Sequence, residues 1–326
     1  MRQPLPTRQR QEPLPQHRPK PGSEDPDAPA RLKAIIESPG YREADRDPDF
    51  LRRDDMRGVR LLLDYQKPQA LLAEHDVAHT VVVFGSTRIP EPATARRNCE
   101  ALAAAVAARP DDAGLKRRLE VARRVLAKTR YYDMAREFGR LVGACGDKAI
   151  GGRVMVMTGG GPGIMEAANR GAHDAGAKSI GLNITLPHEQ YPNPYVDPHL
   201  CFSFHYFAMR KLHFLMRARA LVAFPGGYGT MDELFEVLTL AQTRKIGPVP
   251  VILVGEDYWR RVFDPEVLVE EGAIDPEDRE LFWYAESASD IWRDILTWHE
   301  MKGKPLLPLG SIAEICGPEA LGGTVR

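Results

Sequence analysis

Residues 225–230 form a glycine-rich segment that is followed at once by a group of acids. The segment reads Pro-Gly-Gly-Tyr-Gly-Thr and follows an apolar run, which is typical of a turn between a buried strand and a helix. Glycines let the backbone approach a ligand, and the first N–H groups of the next helix favour an anion such as phosphate. Asp232, Glu233 and Glu236 follow within two helical turns. A carboxylate there can hold a ribose hydroxyl, position water or stabilise a cationic transition state.

These residue types also have a purely structural explanation. Thr230 and Glu233 have the spacing of a helix capping box, and acids are favourable at any helix N-terminus. The capping explanation accounts for one of the acids but not for the presence of all three. Upstream, Arg210 and Lys211 begin a predicted helix, where they could clamp a phosphate or assist a leaving base. Alternatively, Arg210 and Lys211 simply lie on a solvent-exposed face of the helix.

Two more predicted strands end in small residues, at Gly85-Ser86 and at residues 158–163. Ligands of open parallel sheets lie beyond the carboxyl ends of the strands, so three such turns favour a nucleotide or sugar phosphate over ligand-free turns. The turn at 158–163 lacks the dinucleotide fingerprint, because Ile164 stands where the third small residue belongs. The chain also has no GxxxxGK[ST] motif. We therefore predict a mononucleotide or a similar ligand.

The elements that must position these turns alternate between strand and helix. The alternation predicts right-handed crossovers and an α/β, doubly wound parallel sheet that is covered on both faces. The predicted strands are 80–85, 153–157, 179–184, 220–224 and 249–254. The predicted helices are 93–108, 115–142, 164–175, 207–219, 231–243, 258–269 and further closing helices within 276–301.

The remaining segments suggest four regions in the 326-residue chain. Residues 1–30 are rich in Pro, Arg and Gln and are predicted to be a disordered tail. Residues 31–79 are predicted to be a helical extension, 80–302 the catalytic domain, and 303–326 an irregular tail. The formal net charge of −1 does not favour a nucleic-acid or membrane-surface partner. The four cysteines form no CxxC pair and no secretory signal is recognisable, so we expect a cytoplasmic protein.

The motifs resemble those of the LOG ("lonely guy") family of cytokinin riboside 5′-monophosphate phosphoribohydrolases. Residues 225–233 match the family's PGGxGTxxE motif, and Arg210-Lys211 match the RK element that precedes it. The turn at 158–166 is similar to the GGGxxGLM segment, residues 84–86 to the first strand end, and 238–242 to the helix that continues the motif. The resemblance covers roughly residues 80–262. Glu166 departs from the short plant-type pattern, and the longer chain looks like the bacterial branch described as AMP nucleosidases.

The resemblance implies a Rossmann-like domain that hydrolyses the N-glycosidic bond of a purine nucleoside 5′-monophosphate. The substrate would be AMP or an N6-substituted AMP, the products a free base and ribose 5-phosphate, with no cofactor and no metal. By motif position Arg210 and Glu233 form the catalytic pair. Family members assemble, so we expect a homo-oligomer. The implied substrate-binding residues are Gly85, Ser86, Gly159, Gly160, Gly161, Met165, Glu189, Lys211, Gly226, Gly227, Gly229, Thr230, Asp232 and Thr239.

The chemistry of glycosidic cleavage agrees with these roles. The ribose passes through an oxocarbenium-like state, which a carboxylate stabilises while it orients water. We assign this role to Glu233, with Asp232 as the second candidate. An arginine stays charged, so Arg210 is expected to act electrostatically rather than as a proton donor. The sequence leaves open which group protonates the leaving base, and whether Tyr191, Tyr195, Phe202 and Phe207 line a base pocket or belong to the core.

Three other functions compete with this interpretation. A non-catalytic nucleotide or molybdenum-cofactor carrier would need the glycine turns but not both Arg210 and Glu233. A decarboxylase would need pyridoxal phosphate on a lysine, and no independent sign of that site is recognisable. A metal enzyme would use the four histidines between 188 and 213, but these follow no ligand spacing such as HExxH.

Overall fold

A computed structural model describes residues 18–185 and 191–308. By its internal contacts the chain divides into two units, residues 1–60 and 61–326. The first unit contains two short helices, α1 (Ala28–Ile36) and α2 (Pro48–Arg52), and α1 begins inside the predicted tail. The helix α3 (Arg57–Glu74) crosses the division, and most of it belongs to the second unit. Within the described residues no helix is both long and apolar enough to cross a membrane.

The second unit is built on a seven-stranded parallel sheet with the order β4-β3-β2-β1-β5-β6-β7. The predicted α/β class and parallel sheet are therefore confirmed. Two strands, β4 and β7, were not predicted, because each is short and lies at an edge of the sheet. The strands are β1 (Val77–Phe84), β2 (Arg153–Thr158), β3 (Ile180–Ile184), β4 (Cys201–Phe204), β5 (Ala218–Ala223), β6 (Val251–Val254) and β7 (Trp283–Ala285).

The central strands are buried on both faces, which explains why they read as continuous apolar runs. In β1, Val81 and Val83 face one hydrophobic cluster while Val82 and Phe84 face the other. The helices that supply most of the two covering layers are α4 (Pro92–Ala108), α5 (Ala113–Ala127), α6 (Arg130–Cys145), α7 (Ile164–Asp174), α8 (Phe207–Met216), α9 (Tyr228–Gln242), α10 (Glu256–Val262), α11 (Pro265–Glu270) and α12 (Ala288–Met301).

Three predicted helical segments were wrong in detail. The segment 115–142 is two helices, because α5 ends at Ala127 and the hydroxyl of Thr129 donates to the carbonyl of Leu126 at the break. The segment 258–269 is also two helices, since Pro265 cannot continue α10 and instead starts α11. The segment 276–301 contains strand β7 before α12.

Helices α6 and α7 cross so closely that a side chain would not fit between them. A Cβ atom on Gly139 would overlap the carbonyl oxygen of Ala168, and one on Gly171 would overlap that of Arg136. Both obstacles are backbone atoms, which cannot rotate away. We therefore expect Gly139→Ala to lower the free energy of unfolding by about 1–3 kcal/mol.

Denaturant unfolding checks this prediction. Gly58→Ala in α3 is the matched control, because nothing lies within 4 Å of its added Cβ. That control should be neutral or slightly stabilising, since alanine is the better helix former. Equal stability of Gly139→Ala and the wild type would show that the two helices separate at little cost.

Candidate functional site

The reversal of strand order places a crevice at the carboxyl ends of β1 and β5. From β1 the chain moves outward through β2, β3 and β4, and it then returns to the other side of β1 as β5. Crevices at such a switch point are the usual ligand sites of open α/β sheets. A cavity of about 560 Å³ lies here, lined by Phe84, Gly85, Ser86, Thr87, Arg88, Gly159, Met165, Asn183, Ile184, Phe207, Arg210, Gly227, Tyr228, Gly229, Thr230 and Glu233.

Glu233 brings a buried carboxyl group to the cavity. The residue lies in the second turn of α9 and is only 4% exposed. The pKa of its carboxyl is raised from the ordinary value of 4.5 to about 7, chiefly by burial and also by the neighbouring Glu236, while Lys211 and Arg210 oppose the shift. A carboxyl with this pKa exchanges its proton near neutral pH. Such a group suits acid–base or charge-stabilising chemistry.

Arg210 enters the cavity from the other side, on the first turn of α8. Its Nε donates to the carbonyl oxygen of Leu182 at 2.8 Å, which fixes the guanidinium against β3. The guanidinium lies over the rings of Phe207 and Phe214, 5.6 and 5.2 Å from their centroids. Burial lowers the pKa of Arg210, but Glu233 and Asp232 favour its charged form. The cation is thus held in a largely apolar setting, where its field is strong.

The glycine turn after β2 makes room for that guanidinium. A Cβ atom on Gly159 would lie 2.5 Å from Nη2 of Arg210 and 3.0 Å from Sδ of Met165. A hydrogen bond stabilises the turn itself, because the buried hydroxyl of Thr158 accepts a hydrogen bond from the N–H of Gly160 at 2.9 Å. The sequence motif around Gly159 therefore positions a side chain 51 residues further along the chain.

The turn after β5 presents the N-terminus of α9 to the same cavity. Gly227 is the N-cap, and the hydrogen-bond ladder starts when the N–H groups of Thr230 and Met231 donate to its carbonyl oxygen. The N–H groups before Thr230 have no partner within the helix, and Gly227, Gly229 and Thr230 all line the cavity. Free donors and the positive end of a 15-residue helix make this turn a suitable anion site.

Not every predicted binding residue lines the cavity. Nζ of Lys211 lies 2.7 Å from Oδ2 of Asp232 and 3.2 Å from Oε2 of Glu236, so Lys211 is paired behind the site. Asp232 and Thr239 are exposed on the outer surface of α9. Glu189 lies outside the described residues. Gly160, Gly161 and Gly226 shape the turns without lining the cavity.

Some of the residues that line the cavity were not predicted from the sequence. Asn183 is the last residue but one of β3, and Thr87 and Arg88 follow the first glycine turn. The only signal that these residues offer is their position near a strand end. Of the four aromatic candidates, Phe207 lines the cavity, whereas Phe202 is buried in the core. Tyr195 packs instead against His173 and Arg170.

A buried polar network supports the second turn from below. Oδ1 of Asn169 accepts from the hydroxyl of Thr158 at 2.7 Å and from Nδ2 of Asn193 at 3.0 Å, and Nδ2 of Asn193 also donates to the carbonyl oxygen of Gly161. All three side chains are buried. The network was not predicted, because its members are far apart in sequence and polar residues in loops are common. Within residues 18–185 and 191–308 no group of His, Cys, Asp and Glu could hold a metal ion.

Comparisons with known proteins identify relatives of this chain. A family model described as a possible lysine decarboxylase matches residues 165–295. A probable cytokinin riboside 5′-monophosphate phosphoribohydrolase of Oryza sativa subsp. japonica is 34% identical over 141 residues, which are 42% of this chain and 56% of that protein. One from Arabidopsis thaliana is 33% identical and is aligned over 42% of this chain and 64% of its own length. The chain thus spans less than two thirds of these two relatives.

A third relative is matched over more of its length. It is another probable cytokinin riboside 5′-monophosphate phosphoribohydrolase of Oryza sativa subsp. japonica, 30% identical over 174 residues, which cover 50% of this chain and 75% of that protein. A solved structure of a Moco carrier protein from Chlamydomonas reinhardtii has 20% identity and a TM-score of 0.38, covering 68% of this chain and 98% of its own. On the sequence matches and the shared motifs, the chain belongs to the LOG family, named after the cytokinin riboside 5′-monophosphate phosphoribohydrolases.

Proposed function

We propose that this protein hydrolyses the N-glycosidic bond of a purine nucleoside 5′-monophosphate, AMP or an N6-substituted AMP. The observation that carries the proposal is that a buried carboxyl, Glu233, and a half-buried guanidinium, Arg210, line the same cavity beside the N-terminus of α9. Water adds to C1′ of the ribose as the C1′–N bond breaks. The products are ribose 5-phosphate and the base, which gains one proton from the water.

Each part of the nucleotide has a matching part of the cavity. The 5′-phosphate fits the free N–H groups of the turn at Gly227 and Gly229, where the helix end favours an anion. The ribose then lies near Glu233, whose carboxylate stabilises the oxocarbenium-like state and orients water. The base has apolar partners in Met165 and Phe207, and Arg210 neutralises charge that develops on it.

The names of the relatives support the reaction class. Release of ribose 5-phosphate from AMP, GMP, CMP and N6-isopentenyl-AMP tests the proposal directly. We expect turnover of AMP or of its N6-substituted form and little turnover of CMP. Binding of AMP without release from any of the four would contradict the reaction and would favour the carrier function instead.

Assembly into a homo-oligomer stays a prediction, and two exposed aromatic side chains at the mouth of the cavity support it. Tyr228 is 95% exposed and Phe207 is 45% exposed, although both line the cavity. Exposed aromatic side chains beside a ligand site are typical of surfaces that a partner covers. We therefore expect a second copy of the chain to cover this part of the site.

The pKa of Glu233 sets the expected pH dependence of turnover. The ionised carboxylate stabilises positive charge, so kcat/KM should rise with pH and reach half of its plateau near pH 7. A pH–rate profile with AMP measures this. A rate that is constant from pH 5 to pH 9 would show that ionisation of Glu233 does not limit the reaction.

The glycine at the second turn provides a further test of the geometry. Alanine at Gly159 would displace the guanidinium of Arg210, a flexible group, so Gly159→Ala should fold normally yet lose about tenfold or more in kcat. Comparison of its melting temperature and kcat with those of the wild type checks this. A stable variant with full activity would mean that the position of Arg210 over Gly159 is unimportant.

A further inference from the structure

A second cavity lies at the opposite end of the sheet from the candidate site. It has a volume of about 1050 Å³ and reaches the N-terminal ends of β1 and β5, at His79, Ala218 and Arg219. His79 and Phe84 are five residues apart on β1, so the two cavities are separated by about 16 Å along the strand. A nucleotide bound at the turn after β5 does not extend this far.

The walls of the second cavity are largely apolar, and the ionisable side chains among them are all basic. The apolar part comes from the ends of α8 and α9, the loop after α9, and the chain after α12. The lining contains six basic residues and not one aspartate or glutamate, although the whole chain has one more acid than it has Lys and Arg. The basic residues are His79, Arg219, Lys245, His299, Lys302 and Lys304.

The four permanent cations of this lining have no acidic partner. Among residues 18–185 and 191–308, no carboxylate lies within ion-pair distance of Arg219, Lys245, Lys302 or Lys304. All four are exposed, and Lys302 lies over the ring of Trp298, 5.6 Å from its centroid. Cations that are left unpaired around an apolar cavity favour an anion whose body is apolar.

The two histidines are part of a fixed framework and do not add charge. Nε of Arg219 donates to Nδ1 of His79 at 3.0 Å, so the proton of His79 is on Nε2, which donates to the carbonyl oxygen of Ile150 at 3.0 Å. Nε2 of His299 donates to the carbonyl oxygen of Arg219 at 2.8 Å. Burial lowers the pKa of both imidazoles. The framework therefore orients Arg219 at the edge of the cavity.

We propose that this cavity, which we call the basal cavity, binds an organic anion with an extended apolar body: a carboxylate or phosphate monoester on an alkyl or acyl chain. The chain lies against the apolar residues of α8, α9 and the loop at Ile246, and the anionic head meets Arg219 and the lysines. This site is independent of the proposed hydrolysis, since it shares no lining residue with the candidate site.

Isothermal titration with decanoate, decyl phosphate and decyltrimethylammonium tests the proposal on the full chain. We expect the two anions to bind and the cation of equal chain length not to bind, and the tighter anion identifies the head group. AMP at saturation should not change either affinity. Failure of both anions to bind, or equal binding of the ammonium probe, would overturn the proposal.

Matched variants locate the binding. Lys302→Gln with Lys304→Gln should weaken anion binding by about fivefold or more. Lys20→Gln with Lys116→Gln makes the same charge change on exposed residues elsewhere and should leave the affinity unchanged. Ile246→Asp, which adds a carboxylate to the lining, should abolish binding. The Lys302→Gln, Lys304→Gln variant could instead change the molar mass in light scattering and leave the affinity for the anion unchanged. The cavity would then be a contact between copies of the chain, and the proposal would be wrong.

Discussion

Replacing Glu233 by glutamine is expected to reduce kcat for nucleotide hydrolysis by about 10²–10⁴-fold while AMP binding stays within a few-fold of the wild type. Glutamine keeps the size of the side chain and its capacity for hydrogen bonding, but it cannot carry the negative charge that the oxocarbenium-like state needs. The phosphate site at Gly227 and Gly229 is untouched, so binding should survive. Single-turnover release of ribose 5-phosphate, together with calorimetric AMP binding, measures both quantities.

Glu236→Gln is the matched control for this variant. Glu236 lies about one turn further along α9, pairs with Lys211 and does not line the cavity. Its charge raises the pKa of Glu233, so its removal should leave the plateau kcat nearly unchanged and move the half-maximal rate to lower pH. If Glu236→Gln lost as much turnover as Glu233→Gln, the specific role of Glu233 would be refuted.

Stability measurements separate a catalytic role of Glu233 from a structural one. A carboxyl whose pKa is raised on folding is stabilising in its protonated form below pH 4.5, and that contribution is lost as the pH rises through about 7. The pKa difference corresponds to on the order of 3 kcal/mol. Glu233→Gln should therefore be at least as stable as the wild type at pH 8, with the advantage fading towards pH 4.5.

Removal of the guanidinium in Arg210→Ala is expected to reduce kcat by about 10²–10³-fold, because a positive charge held beside the leaving base is lost. The charge of Arg210 also lowers the pKa of Glu233. The half-maximal rate should therefore move to a higher pH in this variant. That shift distinguishes an electrostatic loss from a general disturbance of the fold, which would lower the rate at every pH alike.

Arg210→Lys and Arg217→Ala complete the test. Lysine keeps the charge but loses the Nε–H that donates to Leu182, so its kcat should fall between those of the wild type and Arg210→Ala. Arg217 lies at the other end of α8, where its Nε donates to the carbonyl oxygen of Val77. Its removal should cost stability and leave the pH profile unchanged. A pH profile in Arg210→Ala identical to that of the wild type would exclude electrostatic coupling between the two residues.

The class of fold and the three turns follow from the amino-acid sequence alone. β-branched runs that end in glycine, separated by helical segments, are sufficient for a parallel sheet, because only strands buried on both faces are apolar throughout. Carboxyl ends of parallel strands share one edge, so the turns at Gly85, Gly159 and Gly227 had to meet. The short edge strands β4 and β7 carry too few residues for a pattern, and they were found only in the structure.

The roles of individual side chains depend on how the chain packs in three dimensions. Arg210 and Lys211 are neighbours in the sequence, yet Arg210 reaches the cavity while Lys211 pairs with Asp232 behind it, because adjacent residues point in different directions around a helix. The elevated pKa of Glu233 arises chiefly from its burial in the folded chain. The basal cavity likewise has no local sequence signal, since its basic residues come from β1, β5, the loop after α9 and the α12 region, and only folding brings them together.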